Sequence, residues 1–259
     1  MYSLPTAPGS VGGVLEDALR LYRASFSRCW ALSLVAAGLS AWVGRYQSRA
    51  LGELTSLSPA DLLALPPEEL VVALTGRVHD VLHSSGLWLS SLAMLLVWLL
   101  ICTALIVRQH ATAVRRPMST GAALAFALRR APSMLSAAAI STLLTAAGVL
   151  LLIIPGLWVG GMLQLWLVPL GIEEVGPLQA LARSWRLVEG HWWFTSTVVG
   201  VALTVAALLS MAASLASDLL GALLTVFTVP LLTAVLLAVY YDLKLRREGS
   251  SGARALQRA

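Results

Sequence analysis

The chain has 259 residues, of which 58% are hydrophobic and only 12% charged, with a formal net charge of +5. A soluble domain carries about 25% charged residues, and a long soluble chain could not hide this much apolar surface, so composition excludes an ordinary soluble protein. The positive charge comes without zinc-finger spacing or an RNP-like aromatic motif, which sets nucleic acid aside in favour of basic loops that orient a membrane protein.

Met1 to Gly13 hold neither a basic n-region nor an apolar h-region, so a cleaved signal peptide is not expected. The next stretch is amphipathic. Val11, Leu15, Ala18, Leu19, Tyr22 and Phe26 form one face, and Glu16, Asp17, Arg20 and Arg23 much of the other, the pattern of an interfacial helix. A first span is expected over 29–44. The outer loop, 45–86, is the only long one. Ser58-Pro59 and Pro66-Pro67 look like helix starts, and Leu70, Val71, Leu74, Val78, Val81 and Leu82 recur at helical spacing after the second. Charge-free apolar runs of spanning length predict further spans at 87–107, 134–154, 192–216 and 219–241.

The run 134–172 is too long for one pass and holds no charged residue. Pro155-Gly156 supplies a turn, giving antiparallel spans 134–154 and 157–172; a re-entrant segment after one span is the alternative. The fold expected is an all-α, polytopic bundle of six spans, one membrane domain over 1–245 with a basic tail at 246–259. With both termini inside, the inner segments hold Arg20, Arg23, Arg28, Arg108, Arg115, Arg116, Arg129, Arg130, Arg183, Arg186, Lys244, Arg246, Arg247, Arg254 and Arg258. Only Arg45, Arg49 and Arg77 are outside, as the positive-inside rule expects for the cytoplasmic membrane. Trp30, Trp192, Trp193, Tyr240 and Tyr241 fall at inner ends of spans, and Trp42, Trp88 and Trp158 at outer ends.

Three inner segments share a grammar: VGGVLEDALRLYRASFSRCW, STGAALAFALRRAPSML and GPLQALARSWRLVEGHWW. Each is an amphipathic stretch that enters a span, which suggests three units of interfacial helix plus helical hairpin; basic, partly helical inner loops of any membrane protein are the plainer explanation. Ile154-Pro155-Gly156, followed by Arg183-Ser184-Trp185-Arg186-Leu187-Val188-Glu189-Gly190-His191-Trp192, resembles the signature of a bacterial membrane-protein family. That family includes the membrane domain attached to some glycerophosphodiester phosphodiesterases and several uncharacterised relatives. The matching positions are Pro155, Gly156, Ser184, Trp185, Gly190 and Trp192. The resemblance implies a multi-pass membrane domain without assigned chemistry, and no catalytic residue carries over.

Candidate sites are few. His79 and His83 share a helix face, but HDVLH lacks the glutamate of HExxH and a third ligand, so surface histidines are the better reading. His110 and His191 are expected to face headgroups or water, and Cys29 and Cys102 to be buried thiols. No ionisable residue lies inside a predicted span, which argues against ion-coupled transport and intramembrane catalysis; Gln164 is the strongest polar group at depth. Gly156, Gly160 and Gly161 suggest close helix packing, with a homodimer face as the other use. Arg115, Arg116, Arg129 and Arg130 are the candidate contacts for anionic lipid. No enzyme, cofactor or metal is expected. The function expected is a non-enzymatic scaffold or accessory protein contacting membrane lipid, a partner protein or a second copy. The alternative is a transporter or permease for a neutral or amphipathic solute.

Overall fold

A computed structural model describes the chain apart from Met1, Ser3, residues 55–65, Pro117 and Ala259. Among the described residues the regular structure is wholly helical: α1 (Val11–Leu54), α2 (Pro67–His83), α3 (Ser85–Ala113), α4 (Thr120–Leu151), α5 (Ile153–Leu163), α6 (Leu167–Ile172), α7 (Pro177–Val188), α8 (Trp192–Ala216) and α9 (Asp218–Arg258). Among the described residues, six stretches are long and apolar enough to cross a membrane: Val11–Gln47, Ser85–Ala113, Thr120–Leu151, Ile153–Ile172, Trp192–Leu215 and Leu220–Gly249. The protein is an all-α, multi-pass helical membrane bundle.

The chain divides into two compact units, residues 38–97 and residues 1–37 with 98–259. The smaller holds the second half of α1, α2 and the start of α3. Gln47 Nε2 donates to Ser91 Oγ at 3.0 Å. α2 begins at Pro67, as its proline predicts, with Glu68 and Glu69 in the first turn where the helix dipole favours them. The expected start at Ser58-Pro59 lies outside the described residues.

The larger unit is organised around α9. Ala234, Leu237, Val239, Tyr240, Tyr241 and Leu243 are fully buried there against residues of α1, α3, α5, α7 and α8. α1 runs antiparallel to α9: Gly9 N donates to Asp242 Oδ1 at 2.6 Å, and seventeen residues on Phe26 stacks on Phe227 at 5.4 Å. The end of the unit that carries Gly9, Asp242 and Arg246 is hereafter the basic end.

The three amphipathic segments do not share one form. The first and second continue without a break into the spans after them, as the opening turns of α1 and α4. Val14, Ala18 and Leu21 pack into the core beside α9 instead of lying on a bilayer surface. Pro132 stands inside α4, and the helix continues through it. Only the third segment is a separate helix, α7. It starts at Pro177, and Gly190, at φ 77°, turns the chain between α7 and α8. The predicted corner also moves. α4 and α5 meet at one extended residue, Leu152 (φ −165°), three positions before Pro155, which sits in the first turn of α5 where a missing N–H costs little. Gly156 is instead a contact point, since a Cβ there would lie 2.2 Å from Val149 Cγ2.

Candidate functional site

The residues richest in chemistry gather at the basic end. Glu173, just past α6, is the hub. Tyr240 Oη donates to its carboxylate at 2.5 Å and Lys244 Nζ at 3.0 Å, both from α9. Arg183 Nε donates from α7 at 3.1 Å. Arg183 also pairs with Glu248, one turn beyond Lys244. Lys244 is 8% exposed and Tyr240 fully buried, so these are desolvated groups held by one another. Burial pushes the Glu173 carboxyl up, but the hydrogen bonds from Tyr240, Lys244 and Arg183 and the charge of Lys244 outweigh it and hold the carboxyl below its ordinary range. Burial opposes the Arg183 charge, and Glu248 and Glu173 more than restore it.

Two further polar groups flank this hub. Asp242, 2% exposed, accepts from Gly9 N and from Arg246 Nε at 2.5 Å, and Arg246 Nη2 returns to Gly9 O at 2.6 Å, which ties the N-terminal segment to α9. On α3, Gln109 Nε2 donates to Pro230 O at 2.7 Å, and His110 Nδ1 lies 2.7 Å from Tyr241 Oη. Arg108 bonds Thr120 across the loop that joins α3 to α4.

Sequence reasoning missed this cluster. It placed Tyr240 and Tyr241 at a wet interface and His110 against headgroups or water; all three are buried. The reason is packing: Glu173, Arg183 and α9 lie far apart in the chain, and no local period announces their meeting. The one local signal is Tyr-Tyr-Asp-Leu-Lys-Leu-Arg-Arg at 240–247, which alternates aromatic, charged and apolar positions so that no single face is solvated.

The family-motif positions form a second assembly where α5, α7 and α8 meet. Ser184, fully buried, accepts from Leu165 N at 3.2 Å and donates to Met162 O at 2.9 Å. It thereby satisfies backbone groups freed where the chain is interrupted between α5 and α6. Trp185 meets Trp158 edge to face at 5.1 Å, and Trp192 Nε1 donates to Trp158 O at 3.1 Å. A Cβ on Gly161 would lie 2.3 Å from Trp192 Nε1, and one on Gly160 3.3 Å from Thr145 Cγ2, so both glycines serve close packing within the chain. Trp158, placed by sequence at an outer end, therefore touches Trp192, placed at an inner end.

Of the candidate lipid contacts, Arg115, Arg116 and Arg129 are exposed and have no ion pair among the described residues. Arg130 is engaged instead: Nη1 donates to Val175 O at 2.8 Å, Nη2 to Glu174 O at 2.7 Å, and Glu174 Oε2 lies 3.5 Å away. Arg115 holds φ 58° at the end of α3, an uncommon conformation for a side chain with a Cβ. His79 and His83 stack at 4.0 Å, and no group of three or more potential metal ligands forms among the described residues. Cys29 and Cys102 are buried free thiols. Comparison with family models, with curated proteins and with solved structures finds no match.

Proposed function

We propose that the protein is a non-enzymatic scaffold or accessory protein of the cytoplasmic membrane, both termini in the cytoplasm, that holds anionic lipid or a partner protein against its basic end. The resemblance to the membrane domain attached to some glycerophosphodiester phosphodiesterases is part of this reading, as kinship of architecture. The observation that carries it is a division of labour among charges. Glu173, Lys244, Arg183, Glu248, Asp242 and Arg246 neutralise one another within the bundle. Arg115, Arg116 and Arg129 stand exposed with no acidic partner among the described residues. A half-buried, mutually satisfied network stabilises architecture; the exposed cations are the groups left to recognise something negative.

An exposed basic residue near an anionic leaflet contributes about 1 kcal/mol, so three together give roughly a hundredfold in affinity. Replacing Arg115, Arg116 and Arg129 by Gln, with Arg108 and Arg130 kept for orientation and for the Glu174 contact, should strip anionic lipid from the purified protein in native mass spectrometry. In the parent, retention should fall as salt rises. Equal retention by mutant and parent, with topology unchanged, would reduce the cluster to an orientation signal.

A further inference from the structure

We propose that the α4–α5 hairpin is re-entrant: it enters and leaves the bilayer at the basic end and buries its corner, residues 150–157, among the acyl chains of the leaflet on that side. Two of the six apolar stretches then dip into the membrane without crossing it, and α1, α3, α8 and α9 make the crossings.

The geometry rests on where α5 touches α8. α8 has 25 residues, a rise of about 37 Å, which suffices for a hydrocarbon core of about 30 Å. It starts at the basic end: the Arg246 guanidinium lies 4.4 Å over the Phe194 ring, and Arg247 donates to Glu189 O. Trp158 is beside that start, because Trp192 Nε1 reaches its carbonyl at 3.1 Å. Leu152, the corner, is six residues from Trp158, at most about 9 Å along a helix. Even if α5 pointed straight along α8, the corner would stop roughly 20 Å short of the far side of such a core. It cannot reach the other face.

The chemistry of the corner agrees. Leu150, Leu151, Leu152, Ile153, Ile154 and Leu157 are 64–88% exposed, and no polar side chain stands among residues 149–157. Such a surface belongs in hydrocarbon. Part of the corner's backbone is satisfied internally, as lipid favours: Leu152 N donates to Gly148 O at 3.0 Å, Gly156 N donates to Leu152 O at 3.4 Å, and Pro155 has no N–H. The feet of the hairpin stay polar and joined: Arg130, near the base of α4, holds Glu174 and Val175, just beyond α6. Both feet lie on one side whether the hairpin crosses twice or not at all. The positive-inside count is therefore identical for the two arrangements, and only the contacts separate them.

The test uses a background with Cys29→Ala and Cys102→Ala, into which Leu152→Cys or, separately, Leu150→Cys is placed. Arg45→Cys and Arg116→Cys mark the two faces. With a membrane-impermeant maleimide, the corner cysteines should stay unlabelled from either side of sealed membranes and label fully once the membrane is dissolved in detergent. A fluorophore attached at 152, in proteoliposomes, should be quenched by lipid carrying a nitroxide within its acyl chain. Labelling from the face that reaches Arg45→Cys would mean a full crossing and overturn the proposal. Labelling from the Arg116→Cys face would put the corner in water and overturn it as well. Protection without lipid quenching would assign the corner to a second copy or another protein. Size-exclusion profiles that match the parent show that the variants fold, and agreement between positions 150 and 152 guards against a local artefact.

Discussion

At the scale of single residues, position and burial decide what a charge is worth. Arg20 and Glu16 make an ion pair at 2.7 Å on an exposed face of α1, and water and salt screen most of its energy. Glu173 has the same kind of partner at a similar distance but is half-buried among Lys244, Tyr240 and Arg183. Neutralising it leaves Lys244 a buried cation without its counter-charge, which typically costs about 3–5 kcal/mol. Glu173→Gln should therefore lower the thermal midpoint of the detergent-solubilised protein by several degrees, and Glu16→Gln should leave it unchanged. Equal shifts in both variants would show that the cluster is solvated. Glu173 was passed over in the sequence because the apolar period stops just before it, which marks it as an ordinary loop carboxylate. Its value comes from α9, 67 residues further on.

At the scale of elements, the helices were legible and their junctions were not. Apolar runs of spanning length located α3, α8 and most of α9 closely, because a helix in lipid needs continuous apolar sequence whatever its neighbours do. Helix ends obey neighbours. Pro155-Gly156 reads as a turn, yet the break falls at Leu152, since proline is at home in a first turn and Gly156 is needed for contact with Val149. The second interruption, between Leu163 and Leu167, has no glycine or proline at all and was invisible. It survives because Ser184, on α7, bonds Met162 O at the end of α5 and Leu165 N within the break. Removing that hydroxyl should leave Leu165 N–H buried and unpaired, a loss of about 1–3 kcal/mol. Ser184→Ala should thus destabilise the protein, and amide exchange should rise at Leu165 and its neighbours before it rises in α9. Exchange that rises uniformly, or not at all, would show that the serine does not hold this joint.

At the scale of the whole molecule, the polar network makes the larger unit depend on pH in a direction the structure fixes. Glu173 is held below its ordinary range in the folded protein and returns to a value near 4.3 when unfolded. As pH falls, the unfolded chain therefore takes up its proton first, and unfolding gains the linkage free energy. The stabilisation from Glu173 is fully present above the unfolded value and is lost as the pH drops through the lower, folded value. The elements bound through this carboxylate are the segment after α6, together with α7 and α9. Acid should therefore loosen the junction of these three before it touches helices held by apolar contact. The part of the thermal midpoint that Glu173 supplies should stay constant from neutral pH to about pH 4.5 and then decline. Other groups in the chain also take up protons as the pH falls, so the decisive measurement is a difference. In Glu173→Gln the midpoint starts lower, and the further loss between pH 5 and pH 3 should be smaller than in the parent, so the two curves converge at acid pH. Parallel curves would mean that the Glu173 proton is not linked to folding and that the network's stability lies in Asp242 and Arg246 instead.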